Sequence, residues 1–223
     1  MRRRGAMFRD RRVAGTMLAE RLLHLAGPQL IVLGLPRGGV PVARVVADVL
    51  GAPLDVILVR KIGVPSQPEL AMGAVGEDGV RVHNRTVIDA VGIPAEQIEQ
   101  IERSERAELE RRGHVYRSGR PRRSLRGRVA LIIDDGVATG ATARAACRVA
   151  RAEGATRVVL AVPVAPDRWS AELTGEADEL IAVETPSDFG SVGRHYGRFP
   201  QVGDEEVIAA LARHTGVDED HAP

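Results

Sequence analysis

The sequence predicts an α/β fold: a doubly wound, mostly parallel sheet with helices on both faces and a small hood or lid. Three observations carry this expectation. Short continuous apolar runs alternate with segments of helical period, the pattern of buried parallel strands joined by crossover helices. Three of the runs end in loops rich in Gly, Asp, Arg or Lys, after residues 35, 59 and 133. Aromatic residues make up only 3% of the chain against 44% hydrophobic residues overall, so the core must be built from Val, Leu, Ile and Ala.

The elements follow in order. Val13, Met17, Leu18, Leu22, Leu23 and Leu25 recur at helical spacing over 8–26, and Gly27-Pro28 stops that helix. Residues 30–35 are a buried strand, broken by Pro36-Arg37-Gly38-Gly39, and 40–50 form a helix ending at Gly51. A second buried strand is expected over 54–59. Segments 70–76 and 79–83 pair as strands around Gly76–Gly79. Residues 95–117 are a highly charged helix with a thin apolar stripe of Ile98, Ile101 and Leu109, followed by an Arg-rich linker over 117–128. The core pattern resumes with a strand at 129–133, a helix at 140–153, a strand at 156–164, a short helix at 167–174 and a strand at 179–183. A Gly-rich stretch over 185–203 leads to a final helix at 204–214. A chain of 223 residues suits one domain, 1–223, with 84–128 as a flexible lid or hood insertion and 185–223 as a C-terminal segment beside the site.

Composition narrows the function classes. A net charge of +1 argues against a generalised nucleic-acid footprint. The single cysteine, Cys147, excludes an internal disulfide and packs as a small hydrophobe in a helical pattern. The basic start of the chain has no apolar stretch behind it and no run of about 18 apolar residues occurs, so neither a signal peptide nor a membrane helix is expected, and a cytoplasmic protein is. Lys61 is the only lysine; every other basic position except the histidines is Arg.

The loop after residue 133 carries the strongest signal. In Leu131-Ile-Ile-Asp-Asp-Gly-Val-Ala-Thr-Gly-Ala-Thr-Ala143 an apolar strand delivers Asp134 and Asp135, and a loop with Gly136 and Gly140 enters a helix. Glycine lets backbone approach a ligand, and the helix N-terminus offers free N–H groups and partial positive charge. Thr139 and Thr142 add hydroxyls. That is a phosphate cradle. The carboxylates before it would repel phosphate and suit a ribose diol or hydrated Mg²⁺ instead. No Gly-Lys-Ser/Thr follows the glycines, so this is not a Walker A loop.

Residues 131–143 resemble the 5-phosphoribosyl-1-pyrophosphate (PRPP) signature of the type I phosphoribosyltransferases. The resemblance implies that Asp134 and Asp135 hold the ribose hydroxyls, with Mg²⁺ met through water. It implies that Ala138, Thr139, Gly140, Ala141 and Thr142 hold the 5-phosphate. Gly34-Leu-Pro-Arg-Gly-Gly-Val-Pro41 is similar to the family's pyrophosphate loop, giving Arg37, Gly38 and Gly39 that role, with a cis non-proline peptide at Arg37. Arg60-Lys61 is similar to an Arg-Lys pair that the adenine and orotate members carry near pyrophosphate. The implied reaction replaces pyrophosphate on PRPP with a nitrogenous base, in nucleotide salvage, with Arg37, Lys61, Asp134 and Asp135 as the catalytic set and a homodimer as the assembly. The resemblance covers roughly 28–185.

Hypoxanthine–guanine members place an Asp directly before the Thr-Gly of the phosphate loop; here that position is Ala138. After the last core strand, Glu184 and Asp188 are candidate acceptors from a base N–H and Phe189 a candidate stacking ring; His195 is expected to be an exposed loop residue. The same fold also serves PRPP-sensing regulators. Segment 111–128, with eight arginines and no acid, is the feature that a nucleic-acid-binding regulator would use.

Overall fold

In the computed structural model, which describes residues 6–212, the strands are β1 (Leu30–Gly34), β2 (Leu54–Val56), β3 (Val59–Val64), β4 (Gln67–Gly76), β5 (Arg81–His83), β6 (Val129–Ile133), β7 (Arg157–Val164) and β8 (Glu179–Glu184). The helices are α1 (Arg11–Leu22), α2 (Gly39–Leu50), α3 (Arg85–Val91), α4 (Ala95–Arg117), α5 (Ala141–Ala152), α6 (Trp169–Glu172) and α7 (Asp204–Ala212). The termini of the expected single domain, and the end of the expected final helix, lie outside the described residues. No helix among the described residues is long and apolar enough to cross a membrane.

The main sheet is parallel, in the order β2-β1-β6-β7-β8. Its strands are apolar on both faces because both faces are covered. Leu30, Val32, Leu131, Ile133, Val159 and Ala161 belong to the core that includes α1 and α2. Ile31, Leu33, Ala130, Ile132, Val158 and Leu160 belong to the core that includes α5. Gly34 stands in register with both Val56 and Ile133. The carboxyl ends of β1, β2 and β6 therefore finish level, and their loops emerge together, at the edge where such sheets take ligands.

The second sheet, β3-β4-β5, is antiparallel and forms the hood. It packs against both α4 and α5. The approach to α5 is close: a β-carbon on Gly76 would fall 2.5 Å from Val149 Cγ1. Here the structure departs from the expected strand over 54–59. β2 stops at Val56, Ile57 and Leu58 cross between the sheets fully buried, and Val59 opens β3. One apolar run thus serves two sheets. At the break Arg117 binds the end of β2: its Nε donates to the buried Asp55 carboxylate at 2.9 Å, and that carboxylate also accepts from the Arg123 amide at 3.0 Å.

Segment 84–128 holds α3, α4 and the following linker, with α4 lying against β3, β4 and α7. Its C-terminal end is tied into a buried ionic network. Arg117 also donates to Glu77 from Nη1 (2.5 Å) and Nη2 (2.9 Å) and to the Val56 carbonyl (3.1 Å). Arg122 bridges Asp78 (2.8 Å) and Glu153. A glycine is required where α4 passes Glu77: a β-carbon on Gly113 would fall 2.6 Å from Glu77 Oε1.

Candidate active site

The two loops with the strongest sequence signals meet. Ile133 carbonyl accepts from the Leu35 amide at 2.8 Å, which fastens the start of the 35–39 loop to the end of β6. The Pro36–Arg37 peptide is cis. Gly38 and Gly39 then lie on the acidic pair. A β-carbon on Gly38 would overlap the Asp135 carboxylate, and one on Gly39 would overlap the Ile133 carbonyl and come within 2.8 Å of Asp134 Cα. Only glycine fits at either position.

Asp134 Oδ1 accepts from the Asp135 amide at 2.9 Å. Burial, and then the neighbouring Asp135 charge, push the Asp134 carboxyl well above the usual carboxylate range. Burial also raises Asp135, against the opposing pull of Arg11. The phosphate loop runs on from this pair. The Val137 amide is anchored to the Val164 carbonyl at 3.0 Å. Ala138 and Thr139 are exposed, and Gly140 turns the chain with φ of 71° against Leu173. α5 begins at Ala141 with no side-chain cap, and Thr142 is exposed on its first turn. Uncapped first-turn amides of a helix are hydrogen-bond donors of the kind that take up anions.

The cationic candidates arrive differently. Arg37 Nη1 lies 3.5 Å from Asp204 Oδ1 at the start of α7, and Asp204 accepts from the Tyr116 hydroxyl of α4 at 2.9 Å. Arg60 and Lys61 were expected on a loop at the end of a sheet strand. They sit within β3, opposite Val75 and Ala74 of β4, so the hood carries them. Arg60 Nε donates to Glu105 of α4 at 2.5 Å. The acceptor candidates lie past the end of β8. Glu184 and Asp188 are exposed, with Asp188 3.5 Å from Arg194. Phe189 is buried, 5.2 Å from the His195 ring between centroids. His195 is buried as well, contrary to expectation, because its Nε2 donates to the Phe189 carbonyl at 2.8 Å and the phenyl ring covers it.

Sequence reasoning missed a layer behind the acidic pair. Residues near both ends of the chain pair there: Phe8 bridges Tyr196, and Arg198 donates to the Arg9 carbonyl. Arg11 Nε and Nη2 both reach Asp135 Oδ2 at 2.8 Å. Its guanidinium carbon sits 3.8 Å from the Phe199 ring centroid. The Tyr196 hydroxyl donates to the Asp135 carbonyl at 2.6 Å, and burial raises that hydroxyl's pKa. The available signal was the scarcity of aromatics: all three phenylalanines lie in this layer or beside it.

Among the arginines of the strip over 111–128 only Arg117 is buried, while Arg111, Arg120 and Arg126 are exposed. Arg111 and Arg112 pair with Glu108. Arg117 and Arg122 belong to the buried network. Arg120 and Arg128 donate to the Leu211 and Pro28 carbonyls.

Comparisons with known proteins identify the family. A family model described as the phosphoribosyl transferase domain matches residues 10–188. Two Mycobacterium tuberculosis proteins, from strains CDC 1551 and H37Rv, each carry the name "putative phosphoribosyl transferase" and are 55% identical over 207 residues. The match takes in 93% of this chain but 47% of theirs, so the chain spans about half the length of these relatives. A crystal structure of TT1426 from Thermus thermophilus is 46% identical, with a TM-score of 0.85 over 92% of this chain and 97% of that one.

Proposed function

The chain belongs to the phosphoribosyl transferase family, and from that premise we propose that it transfers the phosphoribosyl group of PRPP to a nitrogenous base, releasing pyrophosphate. The observation that carries this reading is the seating of Gly38 and Gly39 directly on Asp135 and Asp134. That contact joins a pyrophosphate-type loop to a ribose-type acidic pair, and the uncapped start of α5 follows a few residues further along the chain.

In this reading Asp134 and Asp135 accept from the ribose hydroxyls, and Ala138 to Thr142 hold the 5-phosphate with loop amides and the helix N-terminus. Arg37 and the amides of Gly38 and Gly39 receive the pyrophosphate, helped by Arg60 and Lys61 from the hood. Their charge is worth most in the transition state, where pyrophosphate departs from an oxocarbenium-like ribose. Arg37 would exchange its long contact with Asp204 for the incoming anion. The hood and α4 exclude water, which would otherwise hydrolyse PRPP.

The donor set fits Mg²⁺ in one mode. No group of three or more His, Cys, Asp or Glu gathers among the described residues, so the ion would come with PRPP, bound by its phosphates, and meet Asp134 and Asp135 through water. When bound it would neutralise charge on the leaving pyrophosphate.

Glu184 and Asp188 are the proposed hydrogen-bond partners of the base, with Phe189 as the wall behind them. The alternative, a PRPP-sensing regulator that grips nucleic acid through 111–128, loses two of that strip's cations, Arg117 and Arg122, to the buried ionic network. The test is a panel of bases incubated with Mg²⁺-PRPP, read by pyrophosphate release. Release that depends on one base supports the transferase reading. PRPP binding with no release from any base favours the regulator.

A further inference from the structure

Arg11 lies outside the signature loops, 124 residues from Asp135 in sequence, yet each of its three guanidinium nitrogens is engaged at the acidic pair or just behind it. Nε donates to Asp135 Oδ2 at 2.8 Å, and Nη2 lies 2.8 Å from the same oxygen as an ion pair. Nη1 donates to the Pro200 carbonyl at 2.8 Å. The flat face stacks on Phe199 at 3.8 Å, a contact that strengthens when both partners are shielded from water. The side chains of Arg11 and Asp135 are both largely buried. The residue they fix is held at its backbone too, since the Tyr196 hydroxyl donates to the Asp135 carbonyl at 2.6 Å.

We propose that Arg11 is a positioning residue for the PRPP site: it clamps Asp135 through Oδ2, so that Oδ1 is presented to the ribose of the incoming substrate. The inference rests on the transferase reading above and extends it to a device built from both ends of the chain. Three features argue for positioning rather than bulk stabilisation. The guanidinium grips Asp135 at Oδ2 alone, through the Nε hydrogen bond and the Nη2 ion pair, and makes no hydrogen bond to Oδ1. Arg is required over Lys, because only a planar fork can grip Asp135, reach Pro200 and stack on Phe199 together. The carboxylate is also confined from the opposite side, where Gly38 rests on it, so Asp135 has little room to turn away from Arg11.

The experiment is calorimetry of the full chain with two probes, Mg²⁺-PRPP and Mg²⁺-pyrophosphate. The proteins are wild type, Arg11→Gln, Asp135→Asn and the double variant. Arg11→Gln should weaken PRPP binding about tenfold, the scale of one misaligned charge-assisted hydrogen bond. Mg²⁺-pyrophosphate makes no ribose contact and would meet Asp135 only through metal-bound water, so its affinity should fall clearly less, by about twofold. The double variant should bind PRPP no more weakly than Asp135→Asn alone, because Arg11 acts through Asp135. Unchanged PRPP binding by Arg11→Gln overturns the proposal. So do losses that multiply in the double variant, or a fall in pyrophosphate affinity in step with PRPP. Should Arg11→Gln fail to fold, Phe199→Leu keeps both charges and removes the stack. A selective loss of PRPP affinity there supports the clamp, and no loss overturns it. A wild-type protein that binds no PRPP defeats the transferase reading itself, which is a different result.

Discussion

Gly38 lies directly against the Asp135 carboxylate: a β-carbon at position 38 would overlap Oδ2. The backbone at Gly38 is right-handed helical, φ −61° and ψ −34°, so alanine is excluded by space and not by conformation. Gly38→Ala should therefore force Asp135 and the loop apart. The expected cost is about 1–3 kcal/mol, the scale of overpacking in a close-packed site, seen as about fivefold or more lost in PRPP affinity. Gly27 has open space where a β-carbon would stand, so Gly27→Ala should be neutral. Equal behaviour of the two variants would remove the steric argument.

Much of this arrangement was legible in the sequence. The run Val129–Ile133 is a strand with the expected bounds, because five apolar residues end sharply at Asp134. The helix over Ala95–Arg117 also has the expected bounds, since Pro94 precedes it and Ser118 turns left-handed after it. The split of Leu54–Val59 between two sheets was hidden. Nothing local in that run says that the chain changes partners at Ile57, because the group that holds the end of β2 is Arg117, 62 residues away from Asp55. Arg11 was hidden for the same reason. A basic residue in the first turn of a helix looks solvated until Phe199 and Asp135 are brought to it. His195 looked exposed in a polar, Gly-rich stretch, and only the tertiary contact with Phe189 buries it.

Arg117→Ala should cost about 3–5 kcal/mol in chemical denaturation, the usual penalty for leaving buried charges without their partner. Asp55 and Glu77 are the charges stranded, both buried. A loss below about 1 kcal/mol, the scale of an exposed pair, would mean that water reaches the network.

Asp134 should give the unliganded protein a distinctive pH dependence. Its carboxyl holds a proton more tightly in the folded chain than in the unfolded one, through burial first and the Asp135 charge second. Above the unfolded value of about 4, the native state therefore binds more protons than the unfolded state, and stability falls as pH rises toward the folded value. Asp134→Asn carries no such group. In buffer with EDTA, its stability relative to wild type should grow as pH rises from about 4 and then level off. A pH-independent difference would contradict the assignment.

Guanine and hypoxanthine should be poor acceptors. The position before Thr139 is Ala138, exposed in the loop, and offers no carboxylate to a proton at purine N7. General-base help is typically worth about 10²–10⁴-fold, so steady-state rates with guanine, hypoxanthine, adenine and orotate compared side by side should show the deficit. Efficient guanine turnover would show that Ala138 does not set acceptor choice.

The most direct test of the central claim is titration of Mg²⁺-PRPP into the wild-type protein and into Asp134→Asn/Asp135→Asn. Asp135 is the partner of the largely buried Arg11, so the double variant should melt at a lower temperature than wild type but still cooperatively. The wild type should bind PRPP, and the double variant should bind it at least about tenfold more weakly, as expected when charged hydrogen-bond acceptors are lost. A wild type that shows no binding, or a double variant that binds as tightly, would contradict the account.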